Sequence, residues 1–372
     1  MRRILTELRP GYLEIHRDKV DLEIPVPMEI QEWTGSFPGA VSDRRKLREA
    51  VAETVARVRR AERPVLIAGL ELYRERAEKE FRRLAEKLRI PVVTTIDAKG
   101  VFPMDHPLHM GIYQGPFSAP AFGRRVREAD LVLALGTVLT DMNLGAAKPE
   151  VKRERAIWAL ADRVNVSFHQ YTEVQLGDFV AGVADEKLPD FREKVVYHDN
   201  LERRAKRRAG GTPLSVNDPL LEVNDFLWSN PRYHVFAEAA DMLFGGLEVR
   251  QREGGLYFSQ GYYASMGFAV PAAMGAEIGT GVRPLVLSGD GAFQMTGPEI
   301  SHAVPRGLSP VVVLLNNGGW NIFRPVSPRA DLLTVPAWPD AELAQAWGGV
   351  GFQAHTRDDL REALRAAHEV RG

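Results

Sequence analysis

Two stretches of this 372-residue chain combine residue types that can do chemistry together. In the first, Leu285-Val286-Leu287-Ser288-Gly289-Asp290-Gly291-Ala292-Phe293, an apolar run ends on Gly-Asp-Gly. In the second, Val311-Val312-Val313-Leu314-Leu315-Asn316-Asn317-Gly318-Gly319, a run with no polar side chain ends on Asn-Asn-Gly-Gly. Short apolar runs closed by such residues read as buried parallel strands, and ligands of parallel sheets bind beyond the carboxyl ends of the strands. Asp290 then offers a hard carboxylate ligand and Asn317 an amide oxygen. The glycines let backbone N–H groups approach a phosphate. Taken singly, Gly-Asp-Gly is equally a tight turn, and Asn-Asn-Gly-Gly reads better as a turn than as a site. Taken together, with residues 292–315 long enough for one crossover, they predict a magnesium ion and a diphosphate held between two adjacent strand ends.

The elements that must position these residues are legible around them. Pro64–Gly69, Pro91–Thr95, Asp130–Gly136 and Ala156–Leu160 read as strands of a first unit, residues 43–198. Leu47, Ala50, Val51, Val55 and Val58, then Ala77, Phe81, Leu84, Ala85 and Leu88, recur at helical spacing between them. Alternation of this kind implies a parallel sheet covered on both faces. Residues 199–218 read as a linker whose Arg203–Arg208 basic run is a solvated connection. A further unit, residues 219–372, has strands at Tyr233–Ala237, Pro284–Leu287, Pro310–Leu315 (a central strand) and Gly351–Ala354. Its closing helix, Asp358–Val370, carries Thr356 and Asp359 at capping spacing. The expected fold is therefore α/β, with two doubly wound domains. Gly11–Ile15 reads as an orphan strand after a short helical stretch, Ile4–Leu8, and Val20–Pro27 as an extended connection. Residues 1–27 are thus expected to be the remnant of a domain whose remainder is absent, and the last strand of the final sheet is expected to be missing.

Composition narrows the chemistry. Lys and Arg number 48 against 49 Asp and Glu, a balance that disfavours binding nucleic acid or a membrane surface through bulk charge. With no cysteine, thiol nucleophiles, disulfides and thiolate metal centres are excluded. No apolar run reaches the ~20 residues that span a bilayer, and residues 1–10 carry charges where a signal peptide needs an apolar core. The expected location is cytoplasmic. No G-x-G-x-x-G follows a strand, so a dinucleotide site has little support.

The Gly-Asp-Gly and Asn-Asn pair resembles the signature of thiamin diphosphate (ThDP) enzymes. The similarity extends to Tyr262–Pro271, which looks like the segment supporting the bent cofactor. Gly289–Glu299 and Asn316–Trp320 look most like the indolepyruvate/phenylpyruvate branch of the 2-oxoacid decarboxylases. The resemblance implies ThDP and Mg²⁺ as cofactors, and non-oxidative decarboxylation of an aromatic or branched 2-oxoacid. It implies side-chain ligation of Mg²⁺ by Asp290 and Asn317, with Gly319 ligating through its carbonyl. Gly291 and Ala292 would present amides to the diphosphate, with Gly289 and Asn321 in the same two loops. Met266 would be the wedge beneath the cofactor, and the Ala264 carbonyl would accept from its aminopyrimidine. Glu238, Ala239 and Asp241 match the loop that contacts the diphosphate.

The same resemblance defines what is not found. The family's activating glutamate lies in a pyrimidine-binding domain and has no position here, so no catalytic residue is assigned and the isolated chain is expected to be inactive. The chain is expected to work as a homodimer or homotetramer, or beside a separate pyrimidine-domain chain. The acidic residue that some pyruvate decarboxylases carry after the Asn pair is replaced by Phe323, which suits an apolar substrate. Two alternatives stay open: an acetohydroxyacid synthase-like carboligase, which would favour a flavin, and a non-catalytic assembly subunit. His302 reads as a helix-surface residue, His106 and His109 as loop residues, and Trp320 either stacks on substrate or packs.

Overall fold

The structure is a computed structural model and describes Ile4 and residues 11–32, 39–195, 213–250, 252, 255–327 and 329–370. Strands β1 (Pro64–Ala68), β2 (Val92–Thr95), β3 (His109–Tyr113), β4 (Leu131–Leu135), β5 (Ala156–Leu160), β6 (Arg163–Val166) and β7 (His169–Thr172) form a first sheet. Its order is β3-β2-β1-β4-β5-β6-β7. The first five strands are parallel, and β6 and β7 add antiparallel ribbons. Side chains alternate across it, as the pleat requires. Leu66 and Ala68 enter a core with helices α1 (Arg44–Val58) and α2 (Glu78–Leu88), whereas Val65 and Ile67 face α3 (Pro120–Arg127). Helix α4 (Leu176–Asp185) completes the first layer. Helix α1 starts where Asp43 caps it, accepting from the N–H groups of Arg45 and Lys46.

The second sheet contains β8 (His234–Ala237), β9 (Tyr257–Ser259), β10 (Pro284–Gly289) and β11 (Val311–Leu315), all parallel, in the order β11-β10-β8-β9. Leu285 and Leu287 face one layer, with α5 (Asn217–Ser229) and α10 (Arg357–Glu369). Val286 and Phe236 face the other, with α7 (Ala269–Thr280) and α8 (Asp290–Thr296). Helix α6 (Asp241–Gly246) follows β8, and α9 (Asp340–Ala346) precedes α10. The expected capping box at Thr356 and Asp359 is formed. Among the described residues, no helix is long and apolar enough to cross a membrane.

Several expectations are corrected. Residues 11–15 are extended but form no strand. Tyr12 is 86% exposed, and no described strand lies beside it to supply a ladder. Residues 351–354 are also unpaired, so β11 is a sheet edge rather than a central strand, with Val312 and Leu314 half-buried. His109 lies in β3, not in a loop. The glycine that disguised this strand, Gly111 (φ +147), is needed because a Cβ there would come 2.7 Å from the Phe122 ring. The β6–β7 ribbon was missed because its sequence is largely polar, and β9 because it is three residues long. Helix α5 begins inside the expected linker. Residues 5–8 and 199–212, including the basic run, lie outside the described residues.

Candidate functional site

The chain order of the second sheet makes a crevice. From β8 the chain moves to β9 on one side, then crosses to β10 on the other. The connections diverge between β8 and β10, and such a switch point leaves a ligand-sized opening beyond the carboxyl ends. These ends carry Glu238 and Asp290.

Asp290 opens helix α8 and is 6% exposed. One carboxylate oxygen accepts from its neighbour's N–H, Gly291, at 2.8 Å. The other accepts from the Gly318 N–H at 2.7 Å, tying the end of β10 to the end of β11. Asn317 stands alongside. Its side-chain oxygen accepts from the Gly319 N–H at 3.3 Å, its amide donates to Asp241 at 3.3 Å, and its carbonyl accepts from Asn321 at 3.0 Å. Asp241, Asn317, Gly319 and Asn321 are thereby joined in one hydrogen-bonded group, beside the Gly318 N–H that Asp290 holds. A Cβ built on Gly289 or Gly318 would meet nothing within 4 Å, so backbone at both strand ends faces open space. Gly318 also needs its glycine for a φ of +73°.

Glu238 is placed differently from the expectation of a direct cofactor contact. It is buried and accepts from the N–H groups of Gly267 (3.1 Å), Ala269 (2.6 Å) and Ala239 (3.4 Å). Burial raises its pKa against the pull of these donors. Its carboxylate fixes the loop that carries Ala264 and Met266 to the end of β8. Met266 is 40% exposed. Ala264 takes a left-handed φ of +57°, and Ala240, just before Asp241, takes φ +63° with ψ −130°. Burial raises the pKa of Asp241. Ala292 is buried in the first turn of α8.

Other features were not read from the sequence. Trp320 packs on Gly291: a Cβ there would lie 2.5 Å from the indole, so this side chain packs rather than standing free. Gly319 bridges to Thr334, and the Leu333 carbonyl would lie 2.1 Å from a Cβ on it. The Gly-Gly pair was the available signal for the second of these close approaches. Asp340, reached by the Asn316 amide at 3.3 Å, had no signal; burial raises its pKa, with Asp290 nearby adding to the effect. His302 is exposed, 3.7 Å from Glu299. His106 pairs with Glu86 at 3.2 Å and His109 lies 3.4 Å from Thr94 Oγ1.

The donor set suits magnesium with a diphosphate. Among the described residues no three His, Asp or Glu side chains form a metal cage. One carboxylate, an amide oxygen and a backbone carbonyl suit an ion that takes its other ligands from phosphate and water.

Residues 51–184 match the central domain of thiamine pyrophosphate enzymes, and residues 243–372 match their C-terminal TPP-binding domain. The chain belongs to the thiamine pyrophosphate enzymes. It is 32% identical to an indole-3-pyruvate decarboxylase of Azospirillum brasilense, over 98% of this chain and 65% of that protein. It is 26% identical to pyruvate decarboxylase isozyme 2 of Saccharomyces cerevisiae (95% and 64%) and 27% identical to the pyruvate decarboxylase of Kluyveromyces marxianus (93% and 62%). The chain thus spans a little under two thirds of the length of these decarboxylases.

Proposed function

We propose that this chain forms the magnesium- and diphosphate-binding part of a ThDP-dependent 2-oxoacid decarboxylase. The observation that carries this reading is the Asp290 carboxylate, which ties two strand ends together beside Asn317 and under open glycine backbone. In this reading Asp290 and Asn317 bind Mg²⁺ through side chains and Gly319 through its carbonyl. Gly291 and Ala292 present N–H groups to the diphosphate, and Asn321 and Asp241 hold Asn317 in place. Glu238 holds the loop that presents the Ala264 carbonyl and the half-exposed Met266 to the cofactor. When bound, the thiazolium ring supplies the electron sink that decarboxylation of a 2-oxoacid requires.

An aromatic or branched 2-oxoacid, such as phenylpyruvate or indolepyruvate, fits this reading. Phe323 is 48% exposed on the turn after the Asn-Asn-Gly-Gly loop, where an apolar side chain favours an apolar substrate. The activating carboxylate comes from a pyrimidine-binding domain, in a homodimer, a homotetramer or a separate chain. The setting is cytoplasmic.

Titration calorimetry tests the reading. Magnesium-dependent ThDP binding is expected for the wild type and is strongly weakened in Asp290→Ala. Carbon dioxide release from phenylpyruvate is expected only when a pyrimidine-domain polypeptide is added. No magnesium-dependent binding, even with that partner, overturns the proposal. A yellow protein with flavin absorbance would point to the carboligase instead.

A further inference from the structure

We propose that Lys99, contributed by the first sheet, is a positioning residue for the cofactor site of the second. This inference rests on the function proposed above. Lys99 follows the turn after β2 and is 5% exposed. Its ammonium donates to the carbonyls of Gly246 and Val249, the latter at 2.5 Å, and stands 4.0 Å from the centre of the Tyr257 ring in β9. Gly246 ends α6, and a cation suits the carbonyl end of a helix.

The setting makes this charge costly. Around it the contact between the two units is largely apolar, with Ile96, Met104, Met142, Ile112 and Leu247, and carries one ion pair at its edge, Arg252–Asp105 at 3.6 Å. Burial accordingly pushes the Lys99 ammonium well below the ordinary lysine range, with Glu248 opposing. An apolar side chain of the same length would cover the same surface without that penalty. What a methionine cannot do is bind two carbonyls in a fixed direction. The segment so held is six residues long, too short to keep its own conformation. Its other end, about 9 Å away at 1.5 Å per residue, carries Asp241, whose carboxylate receives the Asn317 amide. Helix α6 is therefore anchored at one end to the first sheet and at the other to the predicted magnesium ligand. Nearby, Asp97 lies against Gly261 in the segment leading to Ala264: a Cβ there would be 3.6 Å from the Asp97 Cα. The turn bearing Lys99 thus touches both supports of the site.

The test compares the wild-type chain with Lys99→Met. Hydrogen exchange without ligand is expected to quicken about tenfold at amides 241–250 in the variant, with β10 and the first sheet unchanged. Calorimetry with magnesium and ThDP is expected to show about tenfold weaker binding. The chain has no cysteine, so Lys99→Cys, alkylated with 2-bromoethylamine in denaturant and refolded, rebuilds an ammonium at this position alone. It is expected to restore both readouts, which simple space-filling would not. Wild-type exchange at 241–250 in Lys99→Met overturns the clamp, and unchanged ThDP affinity overturns its role at the site. If Lys99→Met does not fold, Lys99→Gln, a neutral donor, decides by the same two measurements. If the wild type itself binds no ThDP, the proposed function fails while the exchange data still judge the clamp.

Discussion

Both sheets have a point where their connections diverge, although their strand orders differ, and they differ in what lies at that point. In the first sheet that point falls between β1 and β4, and two loops close it with backbone. The Gly69 N–H donates to the Leu135 carbonyl at 2.9 Å, and the Glu71 N–H donates to Gly136 at 3.1 Å. A Cβ on Gly69 would lie 2.1 Å from the Gly136 oxygen, and one on Gly136 would lie 2.6 Å from the Leu72 nitrogen. In the second sheet the corresponding glycine, Gly289, faces open space, and a carboxylate follows it. A doubly wound fold supplies a crevice, but its use depends on whether glycine there serves close packing or leaves room.

The largest expected effect separates the sheets by pH. His109 is buried in the first sheet, and burial, reinforced by Lys99 and His106, lowers its pKa to about 3. The unfolded chain takes up a proton near pH 6.5 that the folded chain refuses, so stability falls as pH drops from about 6.5 towards 3. The full loss is on the order of 5 kcal/mol. Glu238, in the second sheet, has the opposite sign. Its raised pKa means that the folded state holds the proton more tightly, so its contribution is present below the unfolded value and is lost as pH rises through the folded one. Urea titrations at pH 7, 5 and 4 should show a steep acid loss in the wild type and a flatter one in His109→Gln. Equal slopes would mean that His109 is not held neutral.

Next comes the closed crevice. Gly69→Ala drives a methyl group into backbone that has nowhere to move, and about 3 kcal/mol of stability should be lost. Asp290→Ala at the open crevice leaves a void beside glycine backbone. It should weaken magnesium-dependent ThDP binding about a hundredfold, or about 2.7 kcal/mol. Denaturation for the first and calorimetry for the second measure the contrast. A Gly69→Ala protein as stable as the wild type would erase it.

What was legible in the sequence follows the same division. The strand leading to Asp290 announces itself because a strand buried on both faces must be apolar throughout, and the one leading to Asn317 is as apolar although its edge position leaves it half-buried; the chemistry sits where each run stops. Glu238 could be placed at the end of β8 from the sequence, but its direction was not readable. One carboxylate can face a ligand or brace a neighbouring loop, and only the third dimension shows it accepting from Gly267 and Ala269. Residues 11–15 and 351–354 have strand-like composition, yet a strand also needs a partner, which composition does not reveal. The contact of Trp320 with Gly291 was hidden because spacing along the chain says nothing about which glycine an indole will cover.

The smallest expected effect tests whether the open site carries strain. Ala240 holds φ +63° and ψ −130°, a region comfortable only for glycine, immediately before Asp241. Ala240→Gly should relieve this and raise stability by about 1 kcal/mol, or about 2–4 °C in Tm. The same freedom loosens the start of α6, so affinity for magnesium and ThDP should fall a few-fold while the protein becomes more heat-resistant. Those opposite signs are the diagnostic: a residue that merely packs would lose or keep both properties together. A lower Tm in Ala240→Gly would show that the alanine is unstrained there, and that the order of the second crevice comes from Glu238 and Asp290 alone.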